Sequence, residues 1–395
     1  MNSTSLGARL DALLSEPIAS IVERERTSFD EAAGALSEHI VLWGAGRLGR
    51  KTLAGLRSLG IEPRAFCDSS QALWGTEVQG VPVMSPKDAA TRYGGDATFV
   101  VTIWGPHDGD TMAARRQYLV DLGCTKVVSF APLFWKFPDV FGSYYAFRAP
   151  HRTAGEAEEI RRAFSLWSDD ASRAEFVAQV EWRIRGDFEA LSAPVGHETY
   201  FPDDLVNLRT DELFVDCGAY DGDTLRALLA RDEAAECRVV AFEPDPSTFV
   251  RLQAYVNTLR REQRERIELH QTAVGATRSR IRFDPTGTEA SVVGVGSAVV
   301  DCVTLDDVLD ERRPTYIKMD IEGFEPEALA GAHSVIRRSR PVLAICVYHE
   351  FDHPWRIPLS IAALADRYRF FLRPHRLQGW DLVCYAVPSE RLKTR

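Results

Sequence analysis

Val215-Asp216-Cys217-Gly218-Ala219-Tyr220-Asp221-Gly222-Asp223-Thr224 joins an apolar run to a turn with two glycines and then to the start of a helix. Glycine at such a turn allows a tight bend and a close approach of a ligand to the backbone. Downstream the pattern recurs. Candidate strands are ELFVDC, CRVVAFE, RIELHQTAV, PTYIKMD, PVLAICVYH, YRFFLR and DLVCYAV, with helical segments after Gly222, Pro246, Thr304, Phe324 and Trp355. Short apolar runs alternating with amphipathic helices predict a parallel sheet covered on both faces. The last two runs are joined only by PHRLQGW, too short for a helical crossover, so they should pair antiparallel.

Upstream the same alternation occurs once more. HIVLWG, a helix over 47–59, PRAFCD, a short VQGVPVM segment, ATFVVTIW, a helix near 110–122 and KVVSF predict a first α/β unit over 1–131, preceded by helical text at 8–38. Residues 132–205 read as a connector. Its aromatic stretch PLFWKFPDVFGSYYAF and its helical runs AGEAEEIRRAFSLW and ASRAEFVAQVEWRIRGDFEAL are too apolar for disorder. The decisive turn lies in the last segment, 206–395. The expected fold class is α/β with two Rossmann-like units.

Composition narrows the function. A chain of 395 residues is long for one core, which favours two domains. A net charge of −10 argues against sequence-independent nucleic-acid binding, which needs many cations against phosphate. No apolar run approaches the ~20 residues of a membrane span. The opening MNSTSLGARLDALLSEP carries acids and no continuous apolar core, so no secretory signal is expected. The seven cysteines are odd in number and form no CxxC pair, which predicts buried free thiols in a reducing cytoplasm.

Two glycine turns differ in charge. Around the second lie Asp216, Asp221 and Asp223, which would repel a pyrophosphate but suit a cationic ligand such as S-adenosylmethionine, with its ammonium and sulfonium. Glu243, about twenty residues on at the end of the next strand, is placed to accept hydrogen bonds from both ribose hydroxyls. Asp223 is equally readable as a plain helix N-cap. The first turn is Gly44-Ala45-Gly46-Arg47-Leu48-Gly49, a G-x-G-x-x-G opening a helix, followed by Asp68 at the next strand end. Its small and basic residues suit phosphate. It resembles the nucleotide- or sugar-nucleotide-binding domains that accompany sugar-modifying enzymes. The other reading of Gly44, Gly46, Gly49 and Asp68 is packing alone.

Over roughly 200–386 the chain resembles the FkbM-type methyltransferases. YFPDD, FVDCGAYDGDT, AFEPDP, TLDD, YIKMDIEGFEPEALAGA and ICVYH followed by WRIPL carry the resemblance, in that order. It implies a class I methyltransferase sheet, mostly parallel with an antiparallel last strand. It also implies S-adenosylmethionine as cofactor and a hydroxylated small molecule, such as a sugar or nucleotide sugar, as acceptor. Cofactor contacts are expected at Asp216, Gly218, Tyr220, Gly222, Glu243 and Asp320.

The carboxyl-end rule for open sheets selects Lys318, Asp320 and Glu322 after the fourth strand, and Tyr348, His349 and Glu350 after the fifth. An alcohol nucleophile must lose a proton. His349 is the expected base because imidazole is readily poised near neutrality; Asp320 is the rival and Lys318 a third candidate. Glu325 reads as a solvated helix-start acid and His353 as a loop residue. Asp320, Glu322 and His349 carry metal-ligating atoms, but spacing gives no convergence and no metal is assigned. Two alternatives of other kinds remain: a scaffold whose methyltransferase domain is non-catalytic, and a nicotinamide-dependent oxidoreductase using the first turn.

Overall fold

The structure, a computed structural model, describes residues 3–37, 39–105, 109–284, 292–293 and 298–393. Two compact units emerge. One comprises Met1–Arg161, Ala174–Pro194 and Arg376–Trp380, the other Arg162–Arg173, Val195–His375 and Asp381–Arg395. The segment 132–205 is therefore divided, with 162–173 and 195–205 in the second unit.

The first unit opens with two helices, Ser3–Leu14 and Ile18–Ala33, where the sequence suggests one over 8–38. Pro17 separates them, since proline fixes φ and lacks the N–H a continuous helix would need. The second helix ends at Gly34 (φ 81°), short of the expected limit; Glu38 lies outside the described residues. Six strands follow: β1 (Ile40–Trp43), β2 (Ala65–Cys67), β3 (Glu77–Val78), β4 (Val81–Met84), β5 (Thr98–Val101) and β6 (Lys126–Ser129). Their order is β3-β4-β2-β1-β5-β6, and all pairs are parallel except the β3–β4 hairpin. β1 and β5 are buried along their whole length, as expected for strands covered on both faces.

The second unit holds a seven-stranded sheet. It contains β7 (Leu213–Cys217), β8 (Arg238–Phe242) and β9 (Ile267–His270). A small four-stranded sheet, β10 (Ala273–Val274), β11 (Ser279–Asp284), β12 (Val292–Val293) and β13 (Ala298–Val303), is inserted next in the chain. The large sheet resumes with β14 (Tyr316–Met319), β15 (Val342–Cys346), β16 (Tyr368–Pro374) and β17 (Leu382–Pro388). Its order is β16-β17-β15-β14-β7-β8-β9. β17 is antiparallel to both neighbours and the other pairs are parallel, as PHRLQGW predicts. This is a mixed α/β chain with mostly parallel large sheets.

Two differences from the sequence reading have one cause. RIELHQTAV is not one strand: it breaks after His270, and β10 pairs with β13 instead of β8. The small sheet it joins has a minimal core, Ala273, Val300 and Cys302 with Ile281 and Phe324 against it. β13 buries only alternate residues, so its apolar signal is weak. All seven cysteines are buried and free. Among the described residues no helix is long and apolar enough to cross a membrane.

Candidate active site

Open α/β sheets bind ligands beyond their carboxyl ends, where the strand order reverses. In the second unit that place lies between β7 and β14, with β8 and β15 flanking them. The segments leaving these four strands bring Asp216–Gly222, Glu243, Asp320–Glu325 and Tyr348–His353 to the same end of the sheet.

After β7 the backbone turns at Gly218 (φ 87°) and Gly222 (φ 91°). A Cβ on Gly218 would lie 1.9 Å from the carbonyl oxygen of Asp320, so only glycine lets the two turns adjoin. The Tyr220 N–H donates to Glu243 Oε2 at 2.9 Å and the Asp245 N–H to Oε1 at 2.8 Å. Burial pushes the Glu243 carboxyl up to about 7. Gly222 occupies the N-cap of the helix Asp223–Leu229. Asp223 is thus its first residue, not its cap, and accepts from the Thr224 N–H at 2.7 Å. Asp221 pairs with Arg226, so this acid at the turn is locally neutralised.

Asp216 is fully buried on β7, opposite Lys318 of β14. Lys318 Nζ stands 3.0 Å from Asp216 Oδ1 and donates to the Gly218 carbonyl at 2.6 Å. Burial lifts the Asp216 carboxyl to about 6 despite the ammonium. Burial alone would lower Lys318, but Asp216 and Asp320 outweigh it and hold the ammonium firmly charged. Lys318 is therefore a donor that ties the turn to β14, with no lone pair to take a proton.

Asp320 leaves β14 with its carboxylate gripped by two phenols. Tyr200 Oη donates to Oδ2 at 2.7 Å and Tyr348 Oη to Oδ1 at 3.3 Å. His349 Nε2 lies 3.3 Å from Oδ1, and Nδ1 of the same ring lies 2.8 Å from Glu325 Oε1. Glu325 also accepts the Ile321 N–H at 2.9 Å, while its Oε2 is 3.5 Å from His353 Nδ1. Burial would lower the His349 imidazole, yet Glu325, Glu322 and Asp320 outweigh it and raise it well above its ordinary value. Burial would raise Asp320, but His349 and Lys318 hold it well below the usual carboxylate range.

The structure corrects three expectations here. Flanking carboxylates raise the imidazole of His349 well above its ordinary value, away from the neutrality expected of a base. Glu325 is not solvated: its helix, Glu325–Ala330, starts beneath His349 and His353, and the side chain is wholly buried. His353 is no loop residue, since it begins the helix His353–Leu364 and is buried. Tyr200 falls within YFPDD, yet sequence reasoning gives it no role. It sits upstream of β7 at φ 70°, its carbonyl accepts from Tyr316 Oη, and nothing but the YFPDD wording marks it.

In the first unit, Gly44 (φ 114°) follows β1, and a Cβ on Gly49 would meet the Gly44 carbonyl oxygen at 1.9 Å. Asp68 accepts the Ala45 N–H at 2.8 Å through one oxygen and the Ser70 N–H at 2.8 Å through the other. Thr102 Oγ1 donates to the carbonyls of Trp43 and Gly44. Gly46 faces open space.

Residues 216–375 match the family model of the methyltransferase FkbM domain. Over 97% of this chain and 98% of the other, the fold is similar to the methyltransferase FkbM of Methylobacillus flagellatus KT, with a TM-score of 0.75 and 23% identity. A far weaker likeness, TM-score 0.29 at 13% identity over 48% of this chain and 72% of the other, links it to the fibrillarin of Aeropyrum pernix solved with natively bound S-adenosyl-L-methionine. No curated protein matches the sequence. The second unit thus carries a methyltransferase domain of the FkbM type.

Proposed function

We propose that this domain transfers a methyl group from S-adenosylmethionine to a hydroxyl oxygen of a sugar, a nucleotide sugar or another secondary metabolite. One observation carries the reading: the Gly218 turn lies against the Asp320 carbonyl, so a cofactor turn and an acceptor-side carboxylate adjoin.

The residues present fit the cofactor. Gly218 and Gly222 leave the turn without side chains. Each Glu243 oxygen accepts one backbone N–H and keeps acceptor capacity for a ribose hydroxyl. S-adenosylmethionine supplies an electrophilic methyl group on a sulfonium. Lys318 acts as a positioning residue, fixing the Gly218 carbonyl and Asp216. Asp320 is the group assigned to take the acceptor proton. It is a weak base, but weakness suffices: as the new C–O bond forms, the acceptor oxygen becomes far more acidic than a carboxylic acid. Tyr200 and Tyr348 hold the carboxylate in place, and the His349 imidazolium stabilises its charge rather than removing a proton.

In the first unit we assign the glycine turn to packing, because Asp68 and Thr102 already satisfy the turn's own backbone. Ligand binding at the turn, as a nucleotide site or for an oxidoreductase, remains an outcome that a nucleotide panel would reveal.

The test is an acceptor screen with methyl-labelled S-adenosylmethionine, hydroxyl-bearing sugars and nucleotide sugars first. Asp320→Asn should then lower kcat ~10²–10⁴-fold with cofactor affinity little changed. Tight cofactor binding with no transfer to any acceptor would favour the non-catalytic reading.

A further inference from the structure

At the amino end of the large sheet, opposite the candidate active site, cationic side chains gather on one cleft. β15 and β16 are each antiparallel to β17, so both begin at this end. The cleft lies between the close of the helix His333–Ser339 and the turn that follows the helix His353–Leu364. Its volume is about 640 Å³, within the ~300–1,000 Å³ of small-molecule sites. Arg337, Arg338, Arg340 and Arg367 line it, and Asp366 is the one acid among its lining residues. Arg338 is anchored, its Nη2 donating to the carbonyls of Asp310 and Arg312. Arg337, Arg340 and Arg367 are exposed, and among the described residues none of the three forms an ion pair. A helix C-terminus attracts cations, which accounts for Arg337 and Arg338 in the last turn of their helix. It does not account for Arg340 and Arg367. Both hold left-handed backbone, φ 46° and φ 71°, where glycine carries no steric cost and is the usual residue after a helix. Neither is loose. The Arg340 N–H donates to the Ile336 carbonyl at 2.8 Å, and the Arg367 carbonyl accepts the Ser389 N–H at 3.2 Å. Tyr368 Oη donates to the Pro341 carbonyl at 2.8 Å, tying the start of β16 to the start of β15. Two arginines are thus kept, at a steric cost, on a fixed frame beside other cations.

We infer that this cleft binds a small metabolite through a phosphate or diphosphate group. Guanidinium forks match phosphate oxygens, and adjacent phosphate oxygens let several arginines share one anion. A net charge of −10 disfavours a long polyanion, which meets the field of the whole chain; a small anion meets the cleft. The ligand sits at the other end of the sheet from the proposed methyl-transfer chemistry, so the inference does not rest on that reading.

The probe is pyrophosphate, titrated calorimetrically into the full-length protein at about 0.15 M NaCl, where diffuse surface attraction is screened. One molecule should bind per chain. Arg340→Gly and Arg367→Gly each remove a guanidinium from a backbone that glycine adopts freely, and each should weaken binding ~10-fold or more. Without ligand the double variant should melt no lower than the wild type, and it should lose the rise that pyrophosphate gives the wild type. Arg261→Gln, which removes an exposed cation paired with Glu265 (2.7 Å), should leave affinity unchanged. Absence of wild-type binding, or unchanged affinity in both glycine variants, would overturn the inference. So would a double variant that melts lower without ligand, since the arginines would then be serving the fold. Citrate binding as tightly as pyrophosphate would overturn the phosphate assignment. Binding to phosphatidylglycerol vesicles with none to pyrophosphate would overturn the small-molecule assignment in favour of a lipid surface.

Discussion

Glu243 shows what a single residue is asked to do at this site. A carboxyl pushed up to about 7 by burial is ionised at a cost, and that cost is tolerated where a ligand repays it. A ribose diol needs the carboxylate, so protons compete with the cofactor. Affinity for S-adenosylmethionine should therefore fall as pH drops through 7, by about tenfold between pH 8 and pH 6 for one such group. Glu243→Ala should weaken binding at every pH and flatten the profile. Calorimetry at both pH values checks it; a flat wild-type profile would remove Glu243 from the ribose. The residue was readable from sequence because its position follows from strand spacing. His349 and Glu325 were readable only as locations. Their charge states depend on which groups face them across two turns, and no local pattern contains that.

At the scale of elements, legibility followed burial. β7, β14 and β15 are buried at every position, so their apolar runs stand out. β13 buries only alternate residues against a small cluster, and the text carries little of it. The edge strand β16 is instructive because its outer side is covered by a segment far upstream. Ser168 N–H donates to the Phe370 carbonyl at 2.9 Å, Phe370 N–H to Ser168 Oγ at 3.1 Å, and Leu372 N–H to Ser172 Oγ at 2.9 Å. Arg373 fastens the same segment, with Nη2 2.7 Å from Asp169 and 3.3 Å from Asp204. Burial alone would raise Asp169, but hydrogen bonds from Arg373 and Ser172 outweigh it and hold the carboxyl below its usual range. Its folded pKa is thus depressed, so its contribution is present above the unfolded value and lost as pH falls through the folded one. Arg373→Met should destabilise the protein by about 2–3 kcal/mol, less than the ~3–5 kcal/mol of a fully buried pair because both acids keep some solvent. Urea unfolding should show the gap from wild type narrowing on acidification below pH 4; a gap that persists there would assign the loss to packing.

For the whole molecule the question is which stretch of chain folds as the methyltransferase unit. Sequence alternation suggests 206–395, because strands and helices announce themselves only where they are contiguous. The unit as folded also takes in 162–173 and 195–205, and those residues are the cover of β16 and the support of Asp320. A chain beginning at 206 loses Trp167, which bridges to Phe370, along with Ser168, Asp169 and Ser172. It also loses Val195, whose N–H donates to the Pro374 carbonyl at 2.8 Å, and Tyr200 with its phenol on Asp320. The outer side of β16 would then present unpaired backbone groups, the feature that drives edge-to-edge association. Arg373 would also lose its closest partner. A chain beginning at 206 should therefore aggregate, or lack a cooperative unfolding transition, while one beginning at 162 should unfold cooperatively and bind S-adenosylmethionine. Light scattering and urea denaturation of the two chains decide the matter. Cooperative unfolding of the 206–395 chain, with cofactor affinity equal to that of the longer one, would show that the upstream strap is dispensable and that the boundary drawn from contiguous alternation is sufficient.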